Sequence, residues 1–187
     1  FSYFEDELIL RSYEASFPLL LSNAIDLETA EPRDGIHTDL IVEAEGLKIG
    51  FVSIVASYIT TQYLLRRLSI EEPRNAVLTT ARKLKDKGAD VVILLHSDQF
   101  PFIYSFLEDG TVDVAIQSET NDARATLSQQ ERHKNQVIVD QLGTAAIIEL
   151  IQTSDESTDA QVKMIELDSL APNPTIQTVI GSYQHRP

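Results

Sequence analysis

The sequence predicts an α/β fold, because strand-like and helix-like segments alternate along it. Residues 91–95 form an unbroken apolar run rich in β-branched side chains, which is typical of a strand buried on both faces. Residues 73–88 before the run have apolar positions near helical spacing, and residues 100–110 after it suit a short helix that ends at a glycine. A second strand-like run follows at 111–116. This strand–helix–strand order predicts a parallel crossover.

The N-terminal third contributes one helix and several strands. Residues 4–15 have apolar positions on one helical face and acids in the first turn, so they predict a helix. Residues 19–25 are interpreted as a short buried strand, and the acidic residues 26–37 as a loop. Two strand-like runs surround a Glu-Gly pair within 38–55, which indicates a hairpin. Residues 56–72 are ambiguous and are interpreted as an irregular connection with a helical turn.

The middle of the chain gives the most specific structural expectation. We expect strands at about 90–95 and 112–116 to be parallel neighbours, joined by a helix near 100–108. The first run lacks polar alternation, so other elements should cover both of its faces. The predicted core residues are Val91, Val92, Ile93, Leu94, Val114 and Ile116.

The C-terminal part predicts three more strands, which we expect to be antiparallel. They lie at 135–142, 144–153 and 160–170, with an acidic hairpin tip at 154–159 between the last two. Residues 1–170 are predicted to form a single domain, and residues 171–187, which contain prolines, an extended tail.

Composition excludes several classes of function. The 187 residues are 43% hydrophobic, enough for one domain with a core, and no apolar run is long enough to span a membrane. The net charge of −14 argues against nucleic-acid binding, because phosphate contacts require clustered Lys and Arg. The absence of cysteine excludes disulfides, thiolate metal sites and cysteine catalysis.

His96 is the candidate functional residue that the pattern singles out first. It ends the apolar run and is followed by Ser97 and Asp98. Open α/β sheets bind ligands at the carboxyl ends of their strands, where these residues are expected. From the residues alone, an ordinary surface loop containing a histidine is the favoured interpretation.

Five blocks of the sequence, in this order, resemble a known family. They are "FPLLLSNAIDL", "VEAEGLKIGFVSIV", "PRNAVLTTARKLKDKGADVVILLHSD", "VDVAIQSETNDA" and "QVIVDQLGTAAIIELI". Together they resemble the second half of a calcineurin-like metallophosphoesterase domain, in the branch of bacterial 5′-nucleotidases and UDP-sugar hydrolases, over residues 4–168. The resemblance implies a β-sandwich flanked by helices, of which this chain would be the second half.

The resemblance also implies an active site with two divalent metals, Mn, Zn or Fe, that activate a water molecule for attack on a phosphate ester. His96 stands where the family has one metal-binding histidine. Glu119 and Asn121 stand where the family has the two histidines of a Gly-His-x-His motif. The Asp-x-His, Gly-Asp and Gly-Asn-His blocks of the family's first half do not occur in this chain. The sequence therefore predicts a degenerate site with His96 as the remaining recognisable ligand and no bound cofactor.

The other polar candidates have ordinary interpretations. His37, His133 and His185 lie in polar or terminal segments and are expected to be solvated. The stretch 118–122 has the composition of a cation-binding loop but lacks the spacing of an EF-hand, so a solvated loop is preferred.

Two functional hypotheses remain open. The first is a noncatalytic binding or structural subunit, which would associate with a partner protein chain or with copies of itself. The second is the C-terminal portion of a metal-dependent phosphoesterase whose first half lies elsewhere, and upstream coding sequence with the missing motifs would favour it. We expect an extracytoplasmic or periplasmic location. The acidic composition and the lack of a long apolar run lead us to expect no nucleic-acid partner and no membrane span.

Overall fold

The computed structural model describes residues 5–118, 133–139, 143–153 and 158–184. Its helices are α1 (Glu5–Glu14), α2 (Ile59–Gln62), α3 (Pro73–Asp86), α4 (Ile103–Glu108) and α5 (Pro174–Gln184). Its strands are β1 (Leu19–Leu20), β2 (Ala24–Asp26), β3 (Ile36–His37), β4 (Leu40–Ala44), β5 (Leu47–Ile54), β6 (Leu68–Ile70), β7 (Val91–His96), β8 (Val114–Ser118), β9 (Gln136–Val139), β10 (Thr144–Gln152) and β11 (Thr158–Glu166).

A five-stranded sheet with the order β4-β5-β7-β8-β9 forms the centre of the fold. Strands β5, β7, β8 and β9 run parallel to one another, and β4 is antiparallel to β5. The parallel pairing of β7 with β8, with α4 between them in the chain, confirms the crossover predicted from the sequence. The remaining strands form the two-stranded sheets β1-β3, β2-β6 and β10-β11.

The expectation of three successive antiparallel strands was right only for the last two. β10 and β11 pair antiparallel along their whole length, but β9 is parallel to β8. Residues 119–135 connect β8 to β9. A connection of this length can cross back to the edge of the sheet where β8 begins, so β9 can run parallel to β8. Apolar content alone does not distinguish the two orientations.

Both faces of the central sheet are covered. On one face, α3 and α4 pack over alternate sheet residues, forming a core of Val52, Ile54, Val77, Leu84, Val92, Leu94, Phe106 and Ala115. On the other face, Val91, Ile93, Val114 and Val137 pack with Ile148, Leu150 and Ala160 of the β10-β11 sheet. The predicted core residues of β7 and Val114 are therefore buried, whereas Ile116 is only partly buried.

Helix α3 lies close to the sheet because of a glycine. The Glu72 side chain caps the helix by accepting hydrogen bonds from the backbone N–H groups of Arg74 and Asn75, and Pro73 occupies the first turn. A Cβ added at Gly50 of β5 would lie 3.1 Å from both methyl carbons of Leu84. The close approach of α3 to β5 thus depends on the missing side chain.

Residues 26–37, 56–72 and 171–187 contain more regular structure than the sequence predicted. Residues 56–72 contain the predicted helical turn as the short helix α2, but they also contain strand β6, which was not predicted. Strand β3 ends the predicted loop 26–37. The prediction of an extended tail at 171–187 was wrong for the helix α5. Asn173 accepts a hydrogen bond from the N–H of Thr175 and Pro174 starts the helix, a start signal that the proline content concealed.

The domain boundary at residue 170 stays a prediction. No helix in the described ranges is long and apolar enough to cross a membrane.

Candidate functional site

A cavity of about 360 Å³ lies at the carboxyl ends of the parallel strands. Its walls come from the last residues of β5, β7, β8 and β9 and the positions just after them. This is the edge at which open α/β sheets place their ligands. The lining residues are Ser53, Ile54, Val55, Leu95, His96, Ser97, Ile116, Gln117, Ser118 and Val139.

His96 is a buried, neutral imidazole with one nitrogen fixed and one unused. Its side chain is only 4% exposed. Nδ1 lies 2.8 Å from the carbonyl oxygen of Asp98, which can only accept, so Nδ1 carries the proton. Burial lowers the pKa of His96 below its ordinary value of 6.5, although the contact with Asp98 opposes this shift. The lone pair on Nε2 therefore persists at neutral pH, and Nε2 has no hydrogen-bond partner among the described residues.

Gln117 stands beside His96 and has a second unused acceptor. The two residues are register partners in β7 and β8, so their side chains lie on the same face of the sheet. That face is the one covered by α3 and α4, since Leu94 and Ala115 two positions earlier belong to the helix-covered core. Gln117 is 3% exposed, and its Oε1 likewise lacks a partner in the described part of the chain. Two buried acceptors thus lie on adjacent strands.

The loop after β7 is held by its own polar contacts. The hydroxyl of Tyr58 donates to Oδ1 of Asp98 over 2.7 Å, and the hydroxyl of Ser97 donates to Oδ2 over 3.0 Å. The ring centroid of Phe100 lies 6.2 Å from that of His96. These contacts fix the orientation of the imidazole without using Nε2.

The fit of these residues to a metal pair is partial. An imidazole that donates Nδ1–H to a backbone carbonyl and leaves Nε2 free has the arrangement of a metal-binding histidine. However, the cavity lining contains no carboxylate side chain, and no group of three or more His, Cys, Asp or Glu that could hold a metal occurs within the described ranges. Glu119 and Asn121, the other predicted ligands, lie outside the described residues. The described residues alone do not fit a two-metal centre, and the assignment of His96 as a ligand stays a prediction.

His37 and His133 do not line this cavity. His37 is exposed at the end of β3, as expected for a solvated side chain, and His185 lies outside the described residues. The expectation of a solvated His133 was wrong, because its side chain is only 12% exposed. Its Nδ1 accepts a hydrogen bond from the backbone N–H of Asn135, and its ring meets Tyr104 edge-on. His133 is a structural residue at the start of β9.

Comparison with known proteins gives matches in structure but not in sequence. No known family profile and no curated protein sequence matches the chain. The solved structure of the calcineurin-like phosphoesterase YfkN from Bacillus subtilis matches 98% of the chain with a TM-score of 0.76 and 17% identity, over 66% of its own length. A putative 5′-nucleotidase from Staphylococcus aureus matches 97% with a TM-score of 0.70 and 12% identity, over 39% of its length. The sulfate thiohydrolase SoxB from Thermus thermophilus matches 97% with a TM-score of 0.73 and 14% identity, over 34% of its length.

These likenesses establish the fold. The chain is covered almost completely in each match, yet it spans less than two thirds of each of those proteins. The resemblance to calcineurin-like phosphoesterases and 5′-nucleotidases, and the α/β fold class it implied, are confirmed at this level. The chain therefore has the fold of a calcineurin-like phosphoesterase over the part of that fold that it spans.

Proposed function

We propose that this chain is a noncatalytic binding or structural subunit with a metallophosphoesterase-like fold. The observation that supports this function is the make-up of the cavity at the carboxyl edge of the sheet, where His96 is the one ionisable side chain among the described lining residues. Hydrolysis by a metal pair requires several fixed imidazole and carboxylate ligands that leave room for a water molecule. The described lining, in which His96 and Gln117 stand among Ile, Val, Leu and Ser side chains, offers no such set.

The β10-β11 sheet supports a role in binding another polypeptide. Two strands alone make a marginal sheet, and here only one face is covered by the rest of the described chain. Val162 and Met164 lie on the same face as Ala160, which packs on the central sheet, yet they are 41% and 45% exposed. Ile147 on the opposite face is 54% exposed. We propose that a partner chain covers Val162 and Met164, with a second copy of this chain as the other possible occupant.

Two measurements on the purified chain test the noncatalytic function. After dialysis against Mn²⁺ or Zn²⁺ we expect less than one metal per chain, and we expect no turnover of an aryl phosphate above that of buffer. Near-stoichiometric binding of two metals, with turnover lost in His96→Ala and retained in His37→Ala, would refute the proposal. His37 is a suitable control because it is exposed and lies outside the cavity.

The binding surface is tested separately. We expect light scattering or cross-linking to show association with a partner or a second copy, and Val162→Glu and Met164→Glu to weaken it. Gln161→Glu is the matched control, since Gln161 is exposed on the opposite face of the same strand. Circular dichroism shows whether each variant is folded. Equal association of all three folded variants would exclude this face as the contact.

The alternative is the C-terminal portion of a divalent-metal-dependent phosphoesterase or 5′-nucleotidase, completed by residues outside this chain. The free Nε2 of the neutral His96 favours it, because a bound Mn, Zn or Fe ion would use that lone pair. A metal pair supplies a hydroxide at neutral pH and neutralises charge on the phosphoryl oxygens. In this case His96 would hold a metal, and the Asp98 carbonyl would keep its proton on Nδ1. An extracytoplasmic or periplasmic location stays a prediction, which cell fractionation tests.

A further inference from the structure

A second cavity, of about 450 Å³, is lined by more basic than acidic side chains. Its walls are formed by Asp26, Leu27, Glu28, Arg33, Arg66 and Arg67. None of these residues lines the cavity at the carboxyl edge of the sheet. Three guanidinium groups face two carboxylates here, whereas the whole chain carries a net charge of −14. Asp26 pairs with Arg33 and Asp6 pairs with Arg67, so Arg66 is the arginine of this wall that makes no ion pair within the described residues.

Both carboxylate oxygens of Asp26 accept hydrogen bonds, but its partner Arg33 has one N–H group without an acceptor among the described residues. Oδ1 of Asp26 accepts hydrogen bonds from the backbone N–H groups of Glu28 and Thr29, and Oδ2 accepts one from Nη1 of Arg33. The hydrogen bond from Arg33 is the main reason that the pKa of Asp26 lies below its ordinary value. Nε of Arg33 is buried and has no acceptor among the described residues. A buried guanidinium N–H without an acceptor is costly, so a shift of the Arg33 side chain that brings this group to an acceptor from outside would be favourable.

Arg66 and Arg67 are held in place by the N-terminal helix. The carboxylate of Glu5 accepts backbone hydrogen bonds from Arg66 over 3.0 Å, from Arg67 over 2.9 Å, and from Leu68. Nη1 of Arg67 lies 3.0 Å from Oδ1 of Asp6. No hydrogen bond or ion pair of the Arg66 guanidinium occurs within the described part of the chain. The backbone is thus fixed while one complete guanidinium stays available.

We propose that this cavity binds an oxyanion, a phosphate or carboxylate group, between Arg33 and Arg66. Planar guanidinium groups recognise such anions through paired N–H donors, and charge-assisted hydrogen bonds are the strong ones. Asp26 keeps Arg33 oriented, and Glu5 fixes the backbone that carries Arg66. Glu28 stands on the wall as an opposing charge, so it weakens the site without preventing binding.

Titration of the full chain with inorganic phosphate, followed by NMR amide shifts, tests this site. Sodium chloride at equal ionic strength is the reference, and succinate distinguishes a carboxylate ligand from a phosphate. We expect Arg66→Ala to weaken binding roughly tenfold, and Glu28→Gln to strengthen it. Arg82→Ala should change nothing, because Arg82 is exposed on α3 and outside the cavity.

Arg33→Lys completes the test, since lysine keeps a charge beside Asp26 but has no Nε–H fork. We expect this variant to fold and to bind the anion more weakly. Two results would overturn the proposal: shifts that chloride reproduces equally well, or Arg66→Ala and Arg82→Ala variants with the same affinity.

Discussion

Asn135 is expected to be the polar residue on which the association of three strands most depends. It lies just before β9 and is 5% exposed. Its Nδ2 donates to the carbonyl oxygen of Asp113 over 2.9 Å and to that of Thr158 over 2.6 Å. Its Oδ1 accepts from the N–H of Ala160 over 3.1 Å. One side chain therefore connects the starts of β8, β9 and β11.

Asn135→Ala removes three hydrogen bonds and leaves three backbone groups without their partner. At a net contribution of about 1 kcal/mol for each bond, we expect a loss of about 3 kcal/mol in the free energy of unfolding. Urea unfolding followed by circular dichroism measures this loss. Asn75→Ala is the matched control, because Asn75 is exposed on α3, and its change should stay within about 0.5 kcal/mol.

Hydrogen exchange gives a second, local readout of the same substitution. If Asn135 joins the β10-β11 sheet to the central sheet, its loss should raise amide exchange in Thr158–Glu166 more than in Val91–His96. The reasoning is refuted if Asn135→Ala unfolds at the same urea concentration as the wild type, or if exchange rises equally in both strands.

Three further substitutions test other parts of the packing and charge. Ile93→Ala, at a 6% exposed position, should cost about 2–4 kcal/mol in urea unfolding through lost burial, while Ile147→Ala at an exposed position should cost far less. Gly50→Ala should lower the melting temperature, because the added methyl group contacts Leu84 at 3.1 Å, and an unchanged value would show that α3 can shift. Burial raises the pKa of Asp113 above its ordinary value of 3.8. The free energy of unfolding should therefore fall as the pH rises above 3.8, because the buried carboxyl group must then ionise. Relative to wild type, Asp113→Asn should be more stable at pH 7 than at pH 4, and the opposite trend in urea unfolding would contradict this.

The sequence predicted the elements whose pattern is local. The apolar run of β7, the proline and glycine that bound α3, and the short helix α4 all carry their signals within a few residues. The direction of β9 and the helix α5 were predicted wrongly. In β9 the apolar run fits either orientation, and in α5 the prolines suggest an extended tail although Asn173 and Pro174 start a helix.

The polar residues of the site were harder to predict than the strands. His96 was found because it ends an apolar run, which is a local signal. Gln117 and Asn135 were missed, because each acquires its importance from strands distant in sequence. The carbonyl groups that accept from Asn135 lie 22 and 23 residues away in the sequence. No local spacing of apolar or polar residues indicates such contacts. Nothing in the pattern around His133 indicated that Asn135 would donate to it.

The hydrogen bonds of two histidines predict opposite tautomers. In His96, Nδ1 faces the carbonyl oxygen of Asp98 and must carry the proton. In His133, Nδ1 lies 3.1 Å from the backbone nitrogen of Asn135, which donates, so the proton is on Nε2, 3.4 Å from a carboxylate oxygen of Glu108. In a spectrum that reports ring protonation, each histidine therefore serves as a control for the other.

Long-range ¹H–¹⁵N correlation spectra above pH 7 report which ring nitrogen is protonated. We expect the Nδ1–H form for His96 and the Nε2–H form for His133, and the same form in both rings would refute the hydrogen-bond assignment. Because the His96 tautomer leaves Nε2 as the free lone pair, added Zn²⁺ then tests whether this imidazole binds a metal. A shift of the His96 Nε2 resonance at one metal equivalent, with His133 unchanged, would favour the enzymatic alternative. An unchanged His96 resonance at the same zinc concentration would show that this imidazole does not hold zinc with the ligands of this chain alone, which is the result we expect for the noncatalytic subunit.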